Sequence, residues 1–506
     1  MDPQTVGLVV RALQTTAIAA VLLAVWTYVP KLQLNAQLRK LPSLTPEGTT
    51  KARDKFMASA RKLYQDGYHK FRDSAYTLIN ENGNANVIVP PQFLPELRQL
   101  PDDVLSFPEA LTEDLEIKYT HLSIENPTAA GLIKKKLTPA LPRLNPSICQ
   151  DVDRAVKTYM PPCDDWTEVN INEKLLRIVA KVSGTIFVGP ELASDSDYLD
   201  AACFYTVDLM NAVTAMKKIR PWLKPFLASR TPEIIALRAR EKHTERVLIP
   251  IVEQRIAAKA NDPNWQEPDD FLQWMLDMRE GTESIQELAK TQLSLIFAAI
   301  HTTTMTVTNT MYTLAAMPEY LEPLREEIRN VMLDEGGVIT SRALQRMEKL
   351  DSYMKEVLRF TGPTMTSFTR RARKGITLSN GQYIPAGVII EVPSAAIYQD
   401  NAFYPSSDSF DGFRAYKARS TGKAADIARN QFVTSNEENL TFGYGRHACP
   451  GRFFAANEIK MMITRLILDY DIKMPNGEKE RYPQIEIGKM SIPDPTKTLA
   501  FKRVVV

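Results

Sequence analysis

A single cysteine, Cys449, lies in a stretch whose composition suits the presentation of a sulfur ligand. Gly443, Gly445 and Gly451 surround it, and Pro450 comes directly after it. Glycine lets the backbone turn where a side chain would clash, and proline is well placed at the first position of a helix. We therefore expect a helix to begin just after Cys449, where exposed N–H groups and the helix dipole favour a thiolate. The stretch predicts one sulfur ligand on a tight loop.

Three other interpretations of this stretch compete with a sulfur ligand. A lone cysteine is often a small core residue. The glycine spacing is similar to a dinucleotide fingerprint, but such a fingerprint comes after a strand, and the polar residues 436–439 indicate a loop. A zinc site needs several clustered ligands, and His447 and Cys449 have no Cys-x-x-Cys partner in the sequence. The flanking glycines favour the ligand loop.

A second polar group lies inside a long apolar segment. Ser284 and Glu287 form a capping box, and apolar periodicity continues to about Met317. This predicts a helix of roughly 33 residues, about 50 Å long at about 1.5 Å per residue, which must cross the core. Small residues and then His301 and Thr302 occupy its middle. Threonines in a buried helix often only bond back to carbonyl groups of the preceding turn.

A charged pair, Glu356 and Arg359, precedes the cysteine stretch. Residues three apart share a helix face and can pair. The same spacing joins Glu322 to Arg325, which we expect to form a surface pair worth a few tenths of a kcal/mol. Glu356 differs from Glu322 in the segments that lie after it in the chain. Residues 378–390 read as a β-hairpin with an Asn-Gly turn, and a Phe-Asp-Gly-Phe-Arg segment then ends at residue 414.

This order of motifs resembles the cytochrome P450 family. The cysteine stretch matches the family's Phe-x-x-Gly-x-x-x-Cys-x-Gly signature at Phe442, Gly445, Cys449 and Gly451, and the resemblance covers residues 284–469. It implies the cytochrome P450 fold, which is mainly α with a small β subdomain. It also implies haem iron held by the Cys449 thiolate, whose electron density favours O–O cleavage, with O2 as a co-substrate.

The resemblance also implies roles for the polar groups. The segment around His301 and Thr302 resembles the family's oxygen-binding helix, with histidine where an acid is usual and the threonine carrying the hydrogen bonding. Glu356, Arg359 and Arg414 resemble a buried lock in which two guanidinium groups share one carboxylate.

Two positions depart from the family's pattern. His447 stands where many members have an arginine that binds a haem propionate, and a protonated imidazole can serve instead. No Trp-x-x-x-Arg lies between residues 108 and 146, so Lys118 and His121 are the candidates for a second propionate contact.

The N-terminal sequence is apolar from about residue 12 to residue 29, just long enough to span a bilayer. No small-residue cleavage site lies after it, which favours a retained anchor over a signal peptide. Basic residues are more frequent after this segment than before it, so its C-terminal side should face the cytosol. We predict one transmembrane helix in residues 1–30, a proline-containing connector over 31–49 and a haem-thiolate catalytic domain over 50–506.

Composition limits the classes of partner. The net charge of +2 on 506 residues gives no reason to expect nucleic acid. Four scattered cysteines are too few for a disulfide framework, which fits a reducing compartment. Because the chain has no nicotinamide or flavin motif, the resemblance implies electrons from an NADPH-dependent diflavin reductase that docks near Arg446, Arg452 and Lys417.

The residues within these motifs resemble those of fungal microsomal members of the family that tailor terpenoids or other secondary metabolites. The resemblance implies a single-pass protein of the endoplasmic reticulum membrane that inserts one oxygen atom from O2 into an apolar metabolite. The segments that resemble the family's pocket walls, 297–302, 363–368 and the region around Ser491, contain apolar side chains and hydroxyls, which suits an isoprenoid-sized ligand.

Two other classes remain open from the sequence. A haem-thiolate isomerase or dehydratase would rearrange a peroxide without external electrons, and a non-catalytic membrane haemoprotein would only bind or sense. The retained Thr302 argues against both.

Overall fold

The computed structural model describes residues 3–44, 49–123, 127–278 and 284–504. The chain forms two compact units. The sheet unit comprises Met1–Phe107 and Phe368–Pro393, and the helical unit comprises Pro108–Ser367 and Ser394–Val506.

Within the described residues the α-helices are, in chain order, α1 (Pro3–Leu38), α2 (Thr49–Lys70), α3 (Leu94–Leu97), α4 (Phe107–Asp114), α5 (Ile117–Thr120), α6 (Pro127–Leu132), α7 (Thr138–Tyr159), α8 (Ile171–Val188), α9 (Ser196–Lys218), α10 (Lys224–Leu227), α11 (Pro232–Asn261), α12 (Phe271–Met278), α13 (Ile285–Ala316), α14 (Leu321–Asp334), α15 (Ser341–Arg346), α16 (Glu348–Thr361), α17 (Ser394–Ile397), α18 (Arg414–Arg419), α19 (Ala424–Arg429) and α20 (Arg452–Asp469). The strands are β1 (Tyr76–Ile79), β2 (Ala85–Ile88), β3 (Leu105–Ser106), β4 (Thr167–Val169), β5 (Ser367–Ala372), β6 (Ile376–Thr377), β7 (Tyr383–Ile384), β8 (Ile389–Val392), β9 (Tyr470–Lys473), β10 (Gln484–Ile487), β11 (Met490–Pro493) and β12 (Leu499–Arg503).

The sheet unit contains a five-stranded sheet in the order β1-β2-β8-β5-β3. The hairpin predicted over residues 378–390 is found as β6 and β7, with Thr377 opposite Tyr383 and a turn in which Gly381 has φ of +84°. Its first strand, β6, lies just before the predicted range. The hairpin is shorter than predicted, because β8, expected as its second arm, pairs in parallel with β2 instead, with Ile390 opposite Val87.

The N-terminal helix α1 continues through Pro30 to Leu38, so the predicted boundary between anchor and connector falls inside a helix. Among the described residues, no helix combines the length and the apolar character needed to cross a membrane. The predicted transmembrane helix is therefore not confirmed. Residues 45–48 of the predicted connector lie outside the described residues.

The core of the helical unit is built from four helices. Helix α7 packs on α8 and on α20, and α13 also packs on α8 and on α20. Their facing side chains are apolar and buried, as in Ile148, Ile178, Ile296 and Ile463. Burial of such side chains stabilises each by about 1.5–3 kcal/mol, which fixes the positions of α13 and α20.

Helix α13 confirms the long helix predicted from the sequence. It has 32 residues, and Ser284 and Glu287 form the predicted capping box. The Glu287 N–H donates to the Ser284 hydroxyl at 3.2 Å, and the Ser284 N–H donates to the Glu287 carboxylate at 3.1 Å. These bonds satisfy two of the N–H groups that a helix start leaves unpaired.

Candidate active site

The loop around Cys449 turns at glycine. Gly443 and Gly445 have φ of +73° and +72°, a conformation that residues with a side chain rarely adopt. The Cys449 N–H donates to the Phe442 carbonyl oxygen at 2.7 Å and closes the loop. A Cβ at Gly443 would lie 3.4 Å from the His447 carbonyl oxygen, so a side chain there would crowd the turn.

Helix α20 begins at Arg452, two residues later than the sequence predicted. Gly451 is the N-cap, with φ −87° and ψ 4°, and its carbonyl oxygen accepts the N–H of Ala455 at 2.9 Å. Pro450 therefore belongs to the loop and not to the first helical turn. The prediction was wrong because proline is equally compatible with a turn.

Cys449 is exposed to solvent, although many protein atoms surround its thiol. Burial raises the pKa of its thiol, and the N–H groups of Gly451 and Arg452 together with the Arg452 charge oppose that shift only in part. The loop by itself therefore does not favour a thiolate, contrary to the expectation from the sequence. A metal ion that coordinates a thiol deprotonates it outright.

Helix α13 has an accessible face in the middle of the core. Most of the helix is buried, but Ala298 and Thr302 are exposed, and residues four apart lie on one helix face. Helix α13 packs against α20, the helix that comes directly after the cysteine loop. A small side chain and a hydroxyl on this face leave room for a ligand beside the helix pair.

The threonines of α13 share one hydrogen-bond pattern. The Thr302 hydroxyl donates to the Ala298 carbonyl oxygen at 2.7 Å, and the Thr304 hydroxyl donates to that of Ile300 at 2.8 Å. Both have the back-bonding geometry that a buried helix favours. Thr304 is 2% exposed, whereas Thr302 is exposed. Accessibility, not hydrogen bonding, distinguishes Thr302.

His301 joins two helices. Its Nε2 lies 3.0 Å from the Cys203 carbonyl oxygen on α9, and because a carbonyl oxygen only accepts, Nε2 carries the proton. Burial lowers the pKa of His301, and the bond to Cys203 opposes this shift. A neutral imidazole that holds α9 against α13 differs from the acid that this position usually carries in the family.

Two of the predicted pocket-wall segments come together. The Met365 N–H donates to the Lys489 carbonyl oxygen at 2.8 Å, and the Ser491 N–H donates to that of Pro363 at 3.0 Å. Strand β11, which contains Ser491, also packs against α13. These contacts place residues 363–365 and 489–491 side by side.

The structure brings Glu356, Arg359 and Arg414 together. Arg359 donates to both carboxylate oxygens of Glu356, at 2.9 and 2.8 Å, and Arg414 Nε donates to Glu356 Oε1 at 3.2 Å. The side chains of Glu356 and Arg359 are each 4% exposed. Arg359 also donates to the carbonyl oxygens of Ser407 and Ser409, at 2.7 and 3.1 Å. The guanidinium thus ties α16 to the segment before α18.

The expectation that Arg325 lies in a surface pair is wrong. Arg325 is 6% exposed and donates to the carbonyl oxygens of Ile467 and Tyr470 at 2.9 and 3.0 Å. It bonds to carbonyl groups that the end of α20 leaves unpaired. Sequence spacing suggested the pairing with Glu322, which is present at 3.2 Å, but gave no signal for the carbonyl partners.

A second buried charge cluster was missed by sequence reasoning. Asp351 of α16 accepts hydrogen bonds from Arg419 and from the Phe432 N–H, the latter at 2.8 Å, and lies 2.6 Å from Lys460 of α20. Although burial opposes it, the charges of Lys460 and Arg419 hold the pKa of Asp351 below its usual value. The cluster fixes α16 and α18 to α20.

The residues present fit haem. An exposed cysteine lies on a glycine loop ahead of α20. A Cβ built at Gly451 meets no described atom within 4 Å outside its chain neighbours, and α13, which packs on α20, has Ala298 and Thr302 exposed. One thiolate is a known axial ligand of haem iron. The fold and the site together define a haem-thiolate enzyme.

The comparisons with known proteins give the family. The family model described as Cytochrome P450 matches residues 127–500. The chain is 35% identical to cytochrome P450 monooxygenase TES1 of Alternaria alternata, over 100% of this chain and 97% of that protein. It is also 35% identical to ent-kaurene oxidase P450-4 of Gibberella fujikuroi, over 90% of each.

Among solved structures, retinoic acid-bound cyanobacterial CYP120A1 has the same fold, with a TM-score of 0.69 at 18% identity over 92% of this chain and 99% of that chain. The chain belongs to the cytochrome P450 family. It is a fungal-type monooxygenase that uses haem with a cysteine thiolate ligand, with O2 as co-substrate. The family predicted from the motifs is confirmed.

Proposed function

We propose that Cys449 ligates haem iron and that the enzyme inserts one oxygen atom from O2 into an apolar, terpenoid-type metabolite. The observation that carries this proposal is the accessible Thr302 hydroxyl on the otherwise buried helix α13. A hydroxyl at that position has no need to be accessible for packing, and it suits the delivery of protons to bound oxygen.

The chain's own residues have distinct roles in this proposal. Haem supplies the oxygen-activating chemistry when it is bound. Thr302 holds a proton or a water at its Oγ1, and its own bond to the Ala298 carbonyl fixes the rotamer. His301 positions α9 beside α13 through the Cys203 carbonyl. Glu356, with its two arginines, holds the segment that leads to the cysteine loop.

Electrons come, in this proposal, from an NADPH-dependent diflavin reductase. Arg446 is exposed in the cysteine loop, and Arg452 donates to the Cys449 carbonyl oxygen at 2.9 Å. Lys417 is also exposed, but it is paired with Asp411 at 2.9 Å. Cations beside the sulfur ligand suit an acidic partner surface. We place the docking site at Arg446 and Arg452.

Membrane attachment through α1 is part of the proposal. Large apolar side chains of this helix are exposed to solvent, among them Leu13 at 65%, Leu22 at 64% and Val25 at 52%. Transfer of such exposed apolar side chains from water into a membrane lowers their free energy. We propose attachment to the endoplasmic reticulum, with the haem-thiolate catalytic domain (residues 50–506) on the cytosolic side.

The substrate class rests on the relatives and on the pocket wall. One relative is named ent-kaurene oxidase, and that name denotes the oxidation of an apolar hydrocarbon. Residues 363–365 and 489–491 contain proline, methionine and hydroxyl groups. Their one cation, Lys489, is paired with Asp114 at 2.8 Å. We propose a largely apolar isoprenoid substrate for this reason.

The experiment that tests the function uses the full-length, haem-loaded enzyme with a diflavin reductase, NADPH and labelled O2, with apolar diterpenes as test substrates. We expect product that contains one labelled oxygen atom only when NADPH is present. Cys449→Ala should lose both activity and the thiolate spectrum of the ferrous carbonyl adduct, whereas Cys149→Ala should retain both. Turnover without NADPH would instead indicate the isomerase or dehydratase class.

A further inference from the structure

Helices α5, α10 and α11 of the helical unit, with the residues beside them, line a half-open cavity of about 710 Å³ that the proposed function does not use. Its wall combines cationic and apolar side chains. The cations are Lys118, Arg238, Lys242 and Arg246, and the apolar part includes Tyr119, Pro225, Ile234 and Ile235. Among the described residues, no carboxylate lines the cavity. Lys118 and His121, the candidates for a propionate contact, lie here.

The cations of α11 lie along one face of the helix. Arg238, Lys242 and Arg246 are spaced four residues apart, which places them in a row. Like charges at this spacing destabilise a helix. The Glu241 carboxylate balances Arg238, so Lys242 and Arg246 are the part of the row whose repulsion a bound anion would relieve.

Of the three cations of α11 that line the cavity, only Arg238 forms hydrogen bonds or ion pairs with described residues. Arg238 donates to the carbonyl oxygens of Tyr119 and Thr120 at 2.7 and 3.0 Å and to the Glu241 carboxylate at 2.6 Å. It thereby joins α11 to α5 and builds the wall of the cavity. Lys242 and Arg246 make no hydrogen bond or ion pair with any described residue, and both are exposed to the cavity.

The cavity is electropositive, because Lys118, Arg238, Lys242 and Arg246 line it and no carboxylate does so among the described residues. Burial lowers the pKa of His121, and the positive charges of Arg238 and Lys290 lower it further. His243, the neighbour of Lys242 on α11, lies with its Nε2 3.9 Å from Asp197. The charges of Lys118, Lys242 and Arg246 face no carboxylate among the described residues that line the cavity.

We propose that this cavity binds a phosphate group joined to an apolar chain. A phosphate has three strong acceptor oxygens and nearly two negative charges, which matches Lys118, Lys242 and Arg246, and a guanidinium can bind it through two parallel bonds. The apolar wall suits the chain. Trp222 and Phe226 lie close in the chain to Pro225, which lines the cavity, and they are 66% and 67% exposed.

Two kinds of molecule have this chemistry, a membrane phospholipid and a soluble isoprenoid phosphate. The test titrates the full-length, haem-loaded protein in detergent, at fixed low salt, with dihexanoyl phosphatidic acid and with geranyl phosphate. We expect at least one to bind about tenfold more tightly than inorganic phosphate and than dihexanoyl phosphatidylcholine. The tighter of the two identifies the source of the ligand.

The variant with Lys242→Gln and Arg246→Gln should bind the probe roughly a hundredfold more weakly, since each charge-assisted bond is worth about tenfold in affinity. The matched control, Lys157→Gln with Lys479→Gln, removes two exposed lysines elsewhere and should bind normally. An unchanged thiolate spectrum of the ferrous carbonyl adduct shows that each variant is folded.

Three results would overturn the proposal. Unaltered binding in the Lys242 and Arg246 variant would exclude the cavity as the site. An equal loss in the control would show only general attraction to a cationic protein. If inorganic phosphate bound as tightly as both probes, the apolar chain would contribute nothing to binding. None of these outcomes bears on haem binding or on oxygen insertion, so the proposal is separate from the proposed function.

Discussion

At the scale of single residues, accessibility distinguishes Thr302, for which we propose a role in proton delivery, from the buried Thr304. Thr302 and Thr304 make nearly the same bond to the preceding turn, at 2.7 and 2.8 Å. Of these two, Thr302 has its hydroxyl on the accessible face of α13. The oxygen of a donating hydroxyl still has lone pairs, so Thr302 can accept a hydrogen bond from water or from a proton donor while its rotamer stays fixed.

We expect Thr302→Ala to separate electron use from product formation. Positioned proton transfer contributes roughly 10²–10⁴-fold to a rate, and the variant loses it while haem binding remains. The enzyme should continue to consume NADPH but release hydrogen peroxide in place of product. Thr304→Ala removes an equivalent bond from a buried position and is the matched control. Full product yield per NADPH in Thr302→Ala would exclude the proposed role.

His301 predicts a dependence of stability on pH. Its pKa is lowered in the folded protein, so the unfolded chain binds more protons between that pKa and about 6.5. Stability should therefore decrease as the pH falls below about 6.5. His301→Gln keeps an amide donor for the Cys203 carbonyl and removes the titration, so thermal unfolding from pH 5 to 8 should show a smaller slope. An identical slope in both proteins would contradict the assignment.

The same variant bears on catalysis. We expect His301→Gln to lower product yield far less than Thr302→Ala does, because the imidazole is bonded to the Cys203 carbonyl of α9 and we assign it a positioning role. The sequence showed that an acid is missing at this position, but it could not show the Cys203 carbonyl. Every residue has a backbone carbonyl, so the sequence does not show which of them accepts a hydrogen bond.

At the scale of elements, the buried charges fix helices to irregular segments. Arg359 binds Glu356 on its own helix and the carbonyl groups of Ser407 and Ser409 on the segment before α18. A turn-rich segment has few helical bonds of its own. The guanidinium supplies donors that its carbonyl groups would otherwise lack.

We expect Arg359→Ala to destabilise the enzyme by about 3–5 kcal/mol, because it leaves a buried carboxylate with one guanidinium partner in place of two. The loss should appear as poor haem incorporation and a lower unfolding temperature. Arg329→Ala is the control, since Arg329 is 48% exposed and lies 3.4 Å from Glu322; its loss should cost under about 1 kcal/mol. Equal effects would refute a structural lock at Arg359.

Local signals predicted the elements that rest on local chemistry. The capping box located the start of α13, and the Asn-Gly turn located the β6–β7 hairpin. Long-range partners were not predictable in this way. Arg325 was expected at the surface, yet it bonds to the carbonyl oxygens of Ile467 and Tyr470. Charge spacing shows which face a residue shares, but not which element covers that face.

At the scale of the whole molecule, the family was predictable because its motifs combine residue type with spacing over a long segment. The substrate was not, because a pocket wall depends on contacts such as Met365 with Lys489 and Ser491 with Pro363, which pair distant segments. The N-terminal anchor was predicted from apolar composition alone. Helix α1 does exist there, but it extends through Pro30. Among the described residues no helix combines the length and the apolar character of a membrane span.

Deletion of residues 1–29 tests what α1 does. Leu13, Leu22 and Val25 are exposed, and removing such side chains from a membrane surface costs free energy in proportion to their buried area, at about 25 cal/mol per Å². We expect the truncated enzyme to move largely from the membrane fraction to the soluble fraction of the cell. The elements of the site, α13, α16 and α20, begin more than 250 residues later, so haem incorporation should persist. The control replaces Leu13, Leu22 and Val25 with serine in the full-length chain and should release the protein to a similar extent. Wild-type protein that is fully soluble after cell fractionation would contradict attachment through α1.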